Sequence, residues 1–167
     1  MTIRKITTFP AGVLRKEAEA VKDFNHDLKN LVDDMIETMR DAPGVGLAAP
    51  QVGVSKRVVV VEFGDEEDDT IPKQLYVLIN PEIINKSNDM VAGIEGCLSV
   101  PGLVGEVERA KVVTVSAQDQ SGAKIKIRAQ GWLARIFQHE IDHINGLIYP
   151  NRTEKLWQIE PEEMDSM

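Results

Sequence analysis

One cysteine among 167 residues excludes an internal disulfide framework and fits a reducing compartment. The thiol of Cys97 is left free for packing, metal binding or nucleophilic attack. Long apolar runs are also missing. No stretch approaches the roughly 18–20 residues of a membrane-spanning helix, and Met1 to Ile6 has no apolar secretion core, so a soluble, cytoplasmic protein is expected. Positive charge is short as well: 19 Lys plus Arg stand against 27 Asp plus Glu, a formal charge of −8. That balance would repel a phosphate backbone, which argues against direct nucleic-acid binding. Internal repeats and an interdomain linker are absent too, and the length suits one domain over 1–167, with about 151–167 expected as a mobile acidic tail.

What the chain does carry is clear periodicity. After Asn25, a candidate N-cap, Leu28, Leu31, Val32, Met35, Ile36 and Met39 recur at steps of three and four, which predicts an amphipathic helix of about 16 residues. Pro43 to Gly53 holds two prolines and three glycines and predicts a loop or irregular strand against a site. It lacks the third glycine and the lysine of a phosphate loop. Val58 to Phe63, Leu75 to Ile79, Pro81 to Asn85, Ala110 to Ala117 and Ala123 to Arg128 predict strands, the last two joined as a hairpin through Gln118 to Gly122. The acidic run Asp65 to Asp69 predicts a solvated hairpin tip. Gly131 to Asn145, apolar over a wide arc, predicts the most buried helix, ended by Gly146.

That buried helix contains His139-Glu140-Ile141-Asp142-His143. Two histidines four residues apart point the same way from a helix, which is metal-ligand geometry, and the glutamate between them suits proton transfer from a bound water. A third ligand is needed. Tyr149 stands where a metzincin would need histidine, which disfavours that family, and the acidic, proline-broken tail offers no later helix for a thermolysin-like carboxylate. Cys97, beside Gly96, remains as a candidate, because a thiolate is a good ligand for zinc or ferrous iron. A buried, inert thiol is the alternative for this residue.

Three motifs, Gly44-Val45-Gly46-Leu47-Ala48-Ala49-Pro50-Gln51, Glu95-Gly96-Cys97-Leu98-Ser99 and His139-Glu140-Ile141-Asp142-His143, stand in the order and spacing of one family. Along nearly its whole length the chain resembles a peptide deformylase. The resemblance implies an α+β fold in which short antiparallel β-sheets pack around a central metal-binding helix, with an N-terminal amphipathic helix. It implies that Cys97, His139 and His143 bind one divalent metal, natively Fe²⁺ with Zn²⁺ or Ni²⁺ as substitutes. It also implies hydrolysis of the N-formyl group from N-formylmethionyl nascent polypeptides.

Under this resemblance Glu140 acts as the proton carrier. The side-chain amide of Gln51 and the backbone N–H of Leu98 donate to the oxyanion, a donor of that kind being worth about 3–4 kcal/mol. Val45, Trp132, Leu133 and Ile136 are positional candidates for the methionine pocket, and Gly46 and Gly96 for the substrate backbone. Glu95 and Arg109 are assigned as a supporting ion pair about the cysteine loop. Two departures stand out: Val104 replaces an arginine that contacts the peptide in many members, and the acidic tail lacks the basic helix with which some bacterial members dock on the ribosome. Other metallo-amidases, metalloproteases, or a non-catalytic zinc-stabilised peptide binder are the competing readings, the last needing a fourth ligand to close its site.

Overall fold

The computed structural model describes residues 2–64, 70 and 72–159. Helix α1 (His26–Asp41) begins where the Asn25 side chain accepts the Leu28 N–H at 3.1 Å, and it buries the predicted stripe. Helix α2 (Gly131–Ile144) carries buried residues on most of its circumference. Strands β1 (Gly46–Ala48), β2 (Val58–Phe63), β3 (Gln74–Lys86), β6 (Val112–Gln118) and β7 (Lys124–Gln130) form one antiparallel sheet in the order β1-β2-β3-β6-β7. A second antiparallel sheet has the order β4 (Met90–Cys97), β5 (Val100–Ala110), β8 (Leu156–Gln158).

The unbroken Val58-Val59-Val60-Val61 run follows from burial on both faces of β2. Val58 and Val60 join the α1 core with Leu31, Met35 and Met39. Val59 and Val61 face the other way, into a core with Phe137, Ile141 and Ile144 of α2. The first sheet is therefore packed between the two helices. Phe137 is fully buried and meets Tyr76 edge-on, with ring centroids 5.3 Å apart. Phe137→Ala is expected to cost about 3–5 kcal/mol of stability, read from the urea midpoint of unfolding.

Four features differ from the expectations. The two strands foreseen around residue 80 are one, β3, because a register shift between Ile79 and Glu82 accommodates Pro81, whose missing N–H falls where the regular ladder is already interrupted. The ends of β6 and β7 lie up to two residues from those foreseen, while the hairpin joins them as expected. Strands β4 and β5 were not foreseen at all. The tail is structured at its start: a short 3₁₀ turn covers Tyr149–Arg152, and Leu156–Gln158 pairs with Leu103 to Gly105 of β5. The acidic run 65–69 and the tail residues 160–167 lie outside the described residues.

Candidate metal centre

Helix α2 sets His139 and His143 one turn apart, with ring centroids separated by 5.0 Å. Cys97 arrives from the end of β4, where the β4–β5 register shifts after Gly96 and the chain turns through Leu98 and Ser99. Its sulfur lies 3.3 Å from His143 Nε2. One donor atom from each of Cys97, His139 and His143 lies within 4.8 Å of the other two. Two elements remote in sequence thus bring one sulfur and two imidazoles together.

The surroundings fix these groups. Glu95, on the same face of β4 as Cys97, places Oε1 2.8 Å from His139 Nδ1, which leaves the other ring nitrogen free to serve as a donor. Arg109 from β5 donates to both Glu95 oxygens, at 2.8 and 2.7 Å, and at 2.5 Å to Asp142. The expected Glu95–Arg109 pair is therefore present, and it is buried. Burial alone would raise the Glu95 pKa, but hydrogen bonds from Arg109 and His139 outweigh it and hold the carboxyl well below the usual range. Burial pushes His143 down, as does the neighbouring His139; His139 itself is raised, because its bonds to Cys97 and Glu95 outweigh burial.

Glu140 is 5% exposed, and its Oε1 has no hydrogen-bond partner among the described residues. Burial pushes its carboxyl up to about 7, a value at which a group both takes and releases protons near neutrality. Gly46 permits this placement, since a Cβ there would lie 2.6 Å from Glu140 Oε2. Gln51 sits in the short 3₁₀ helix Ala49–Val52. Its Oε1 accepts the Ala48 N–H at 3.0 Å, which turns Nε2 toward Cys97 Sγ at 3.4 Å and Ser99 Oγ at 3.2 Å.

The remaining sequence-derived residues differ widely in exposure. Leu98 is half-buried in the β4–β5 turn, and Gly96 is exposed on β4 opposite Val104. Val45 and Trp132 are exposed, Leu133 packs against the α2 core, and Ile136 lies within it. Val104 is buried between β4 and β8, paired with Gly96 and Trp157. Sequence reasoning missed Asp142, held by Arg109 and by two bonds from Arg152 at 2.8 and 2.6 Å, and Tyr149, whose ring stacks on His139 and whose hydroxyl donates to the Leu103 carbonyl. Asp142 lies inside the histidine motif, one residue before His143, and that position was the available signal.

A family model described as polypeptide deformylase matches residues 3–158. The chain belongs to this family. A peptide deformylase of Symbiobacterium thermophilum is 54% identical over 156 residues, 93% of this chain and 69% of the relative. The crystal structure of the Thermotoga maritima deformylase superposes with a TM-score of 0.85 at 39% identity, covering 92% of this chain and 99% of that one. An Acinetobacter baumannii deformylase described as bound to Met-Ala-Ser gives a TM-score of 0.84 at 38% identity, covering 91% and 99%. The α+β architecture and the hydrolase class of this deformylase follow from that membership, and the clustered Cys, His and His fit the metal dependence of the family. Among the described residues, no helix is long and apolar enough to cross a membrane.

Proposed function

We propose that this deformylase removes the N-formyl group from N-formylmethionyl ends of nascent polypeptides and releases formate, with Cys97, His139 and His143 holding one divalent cation. Fe²⁺ is the proposed native ion, and Zn²⁺ or Ni²⁺ would substitute. The observation that carries the reading is the cluster of one sulfur and two imidazoles with the buried Glu140, whose Oε1 has no partner among the described residues, on the same helix. A soft thiolate with two imidazoles suits iron or zinc and does not suit calcium or magnesium. When bound, such a cation polarises a carbonyl and lowers the pKa of water from 15.7 to roughly 7–9.

The protein's own groups do the rest. Glu140 takes a proton from the attacking water and passes it to the departing amine nitrogen, which frees the new N-terminus. The Gln51 amide and the Leu98 N–H donate to the carbonyl oxygen as it gains charge. Gly46 and Gly96 receive the peptide backbone in strand fashion, and Val45, Trp132, Leu133 and Ile136 surround the methionine side chain. The Met-Ala-Ser peptide named for the Acinetobacter relative, a sequence that begins with methionine, supports this choice of substrate. A reducing, cytoplasmic setting is proposed because the lone cysteine must stay unoxidised to serve as a ligand.

Formate release from formyl-Met-Ala is the test. Anaerobic protein stripped by a chelator is expected to be inactive and to recover best with Fe²⁺; undiminished release by the stripped protein would overturn the reading. Gly46→Ala is expected to displace the Glu140 carboxylate and lower kcat by about 10²-fold, because roughly 1 Å of misplacement costs that much. Steady-state kinetics on the same peptide would check it.

A further inference from the structure

Glu95 receives more than the Arg109 fork. Arg135, one helical turn before His139 on α2, donates to Glu95 Oε2 at 2.6 Å, to the Val107 carbonyl of β5 at 2.9 Å and to the Val91 carbonyl of β4 at 2.6 Å. One guanidinium thus joins α2 to both long strands of the second sheet. It is 6% exposed, and its Cζ lies 5.4 Å from the centre of the Trp132 ring. Space for it exists because residue 93 is glycine. A Cβ there would stand 2.7 Å from Arg135 Cζ and 2.9 Å from Nε and Nη2.

The four donors on Glu95 divide its carboxylate evenly. Oε1 faces His139 Nδ1 and Arg109 Nη2, while Oε2 faces Arg109 Nε and Arg135 Nη1. Arg109 also serves Asp142, so its position is set from two sides. Without Arg135, Oε2 would lose the donor that comes from the metal helix itself, and the carboxylate would be free to rock about the Arg109 fork. His139 would then lose a fixed partner for Nδ1, and with it a fixed direction for its other nitrogen.

We infer that Arg135, admitted by Gly93, is a positioning residue that acts through Glu95 to aim His139 at the metal. This rests on the proposed Cys97, His139 and His143 ligand set. Lysine would not replace it, since one ammonium on a flexible stem does not span three acceptors on two strands and a carboxylate.

The test uses Co²⁺ as the probe metal in the whole chain, followed by its visible and thiolate charge-transfer absorption, with loss to excess chelator timed on the loaded protein. Arg135→Met is expected to weaken Co²⁺ binding and to speed its loss by about tenfold or more, toward the ten- to hundredfold range seen when the outer support of a ligating histidine is removed. Gly93→Ala, which crowds the guanidinium while keeping every charge, is expected to act in the same direction, and Arg135→Lys is expected not to restore the wild-type rate. The His139 Nδ1–H proton resonance should exchange with solvent faster in each variant.

Asn80→Asp serves as the control for general loosening. It removes the two bonds that Asn80 Nδ2 donates, to the Val21 carbonyl and to Gln118 Oε1 on the first sheet, and is expected to lower Tm with no change in Co²⁺ loss. Should Arg135→Met fail to fold, Gly93→Ala and Arg135→Lys carry the test. Wild-type rates of Co²⁺ loss in these variants, or a rate that tracks Tm equally in Asn80→Asp, would overturn the inference alone. A wild-type chain that takes up no Co²⁺ would overturn the ligand set and this inference with it.

Discussion

Glu140→Gln is expected to retain the metal and to lose roughly 10²–10⁴-fold in kcat for formate release, the range a positioned general acid–base supplies. The substitution keeps the shape of the side chain where it presses on Gly46, so the backbone of β1 need not move. What it removes is the proton traffic. In the wild type, burial raises the carboxyl to about 7 and Oε1 has no partner among the described residues, so the group is poised to accept a proton and to give it up. An uncharged amide does neither. Metal content should be unchanged, because Glu140 is outside the Cys97, His139 and His143 cluster. Formate assays paired with metal analysis decide it, and near wild-type turnover would remove Glu140 from the reaction.

Gln51→Glu is the second large effect. Gln51 is 2% exposed, and its oxygen is already occupied by the Ala48 N–H. A glutamate keeps that bond and nearly the same volume, so the 3₁₀ turn and its packing should persist. The other terminal atom changes from a donor to a carboxylate oxygen, close to the Cys97 sulfur and to the position proposed for developing negative charge. Loss of one oxyanion donor costs about 10²–10³-fold in kcat, and the added charge should bring the loss to the upper end of that range. Thermal unfolding beside kinetics on formyl-Met-Ala separates the two contributions: the buried carboxylate should lower Tm, while turnover falls far below what the folded fraction at the assay temperature allows. A drop in Tm that accounts for the lost activity would count against the donor role.

Elements with local signals were legible in the sequence. Helix α1 starts at the Asn25 cap and buries the stripe its periodicity marks, and α2 spans nearly the residues its apolar arc suggests. Strand β2 was visible through its valines, although their burial on both faces was not. Strands β4 and β5 were hidden because Gly93, Gly96, Gly102 and Gly105 with Pro101 weaken every local strand signal; what holds them is long pairing between each other, from Met90↔Ala110 to Cys97↔Val100.

At the site, the two histidines and Glu140 were legible because a helix converts a spacing of four into one direction. Of the charged partners, only the Glu95–Arg109 pair was foreseen, through the resemblance and without its burial. Glu95, Arg109, Arg135 and Asp142 look like surface residues one by one, yet each is 6% exposed or less. They are buried because they neutralise one another across three elements, a relation that exists only after folding. Val104 is similar: its burial under β8 depends on a strand that the acidic composition of the tail concealed.

The placement of β8 also orders events during synthesis. The sheet between α1 and α2 uses strands made before the second helix emerges, so its hairpins can pair as the chain lengthens. The sheet that bears Cys97 is completed by a strand translated after both histidines, and until then the outer edge of β5 stands open at Leu103 to Gly105. Pairing along that edge, which covers Val104, therefore waits until the chain has been made well past His143.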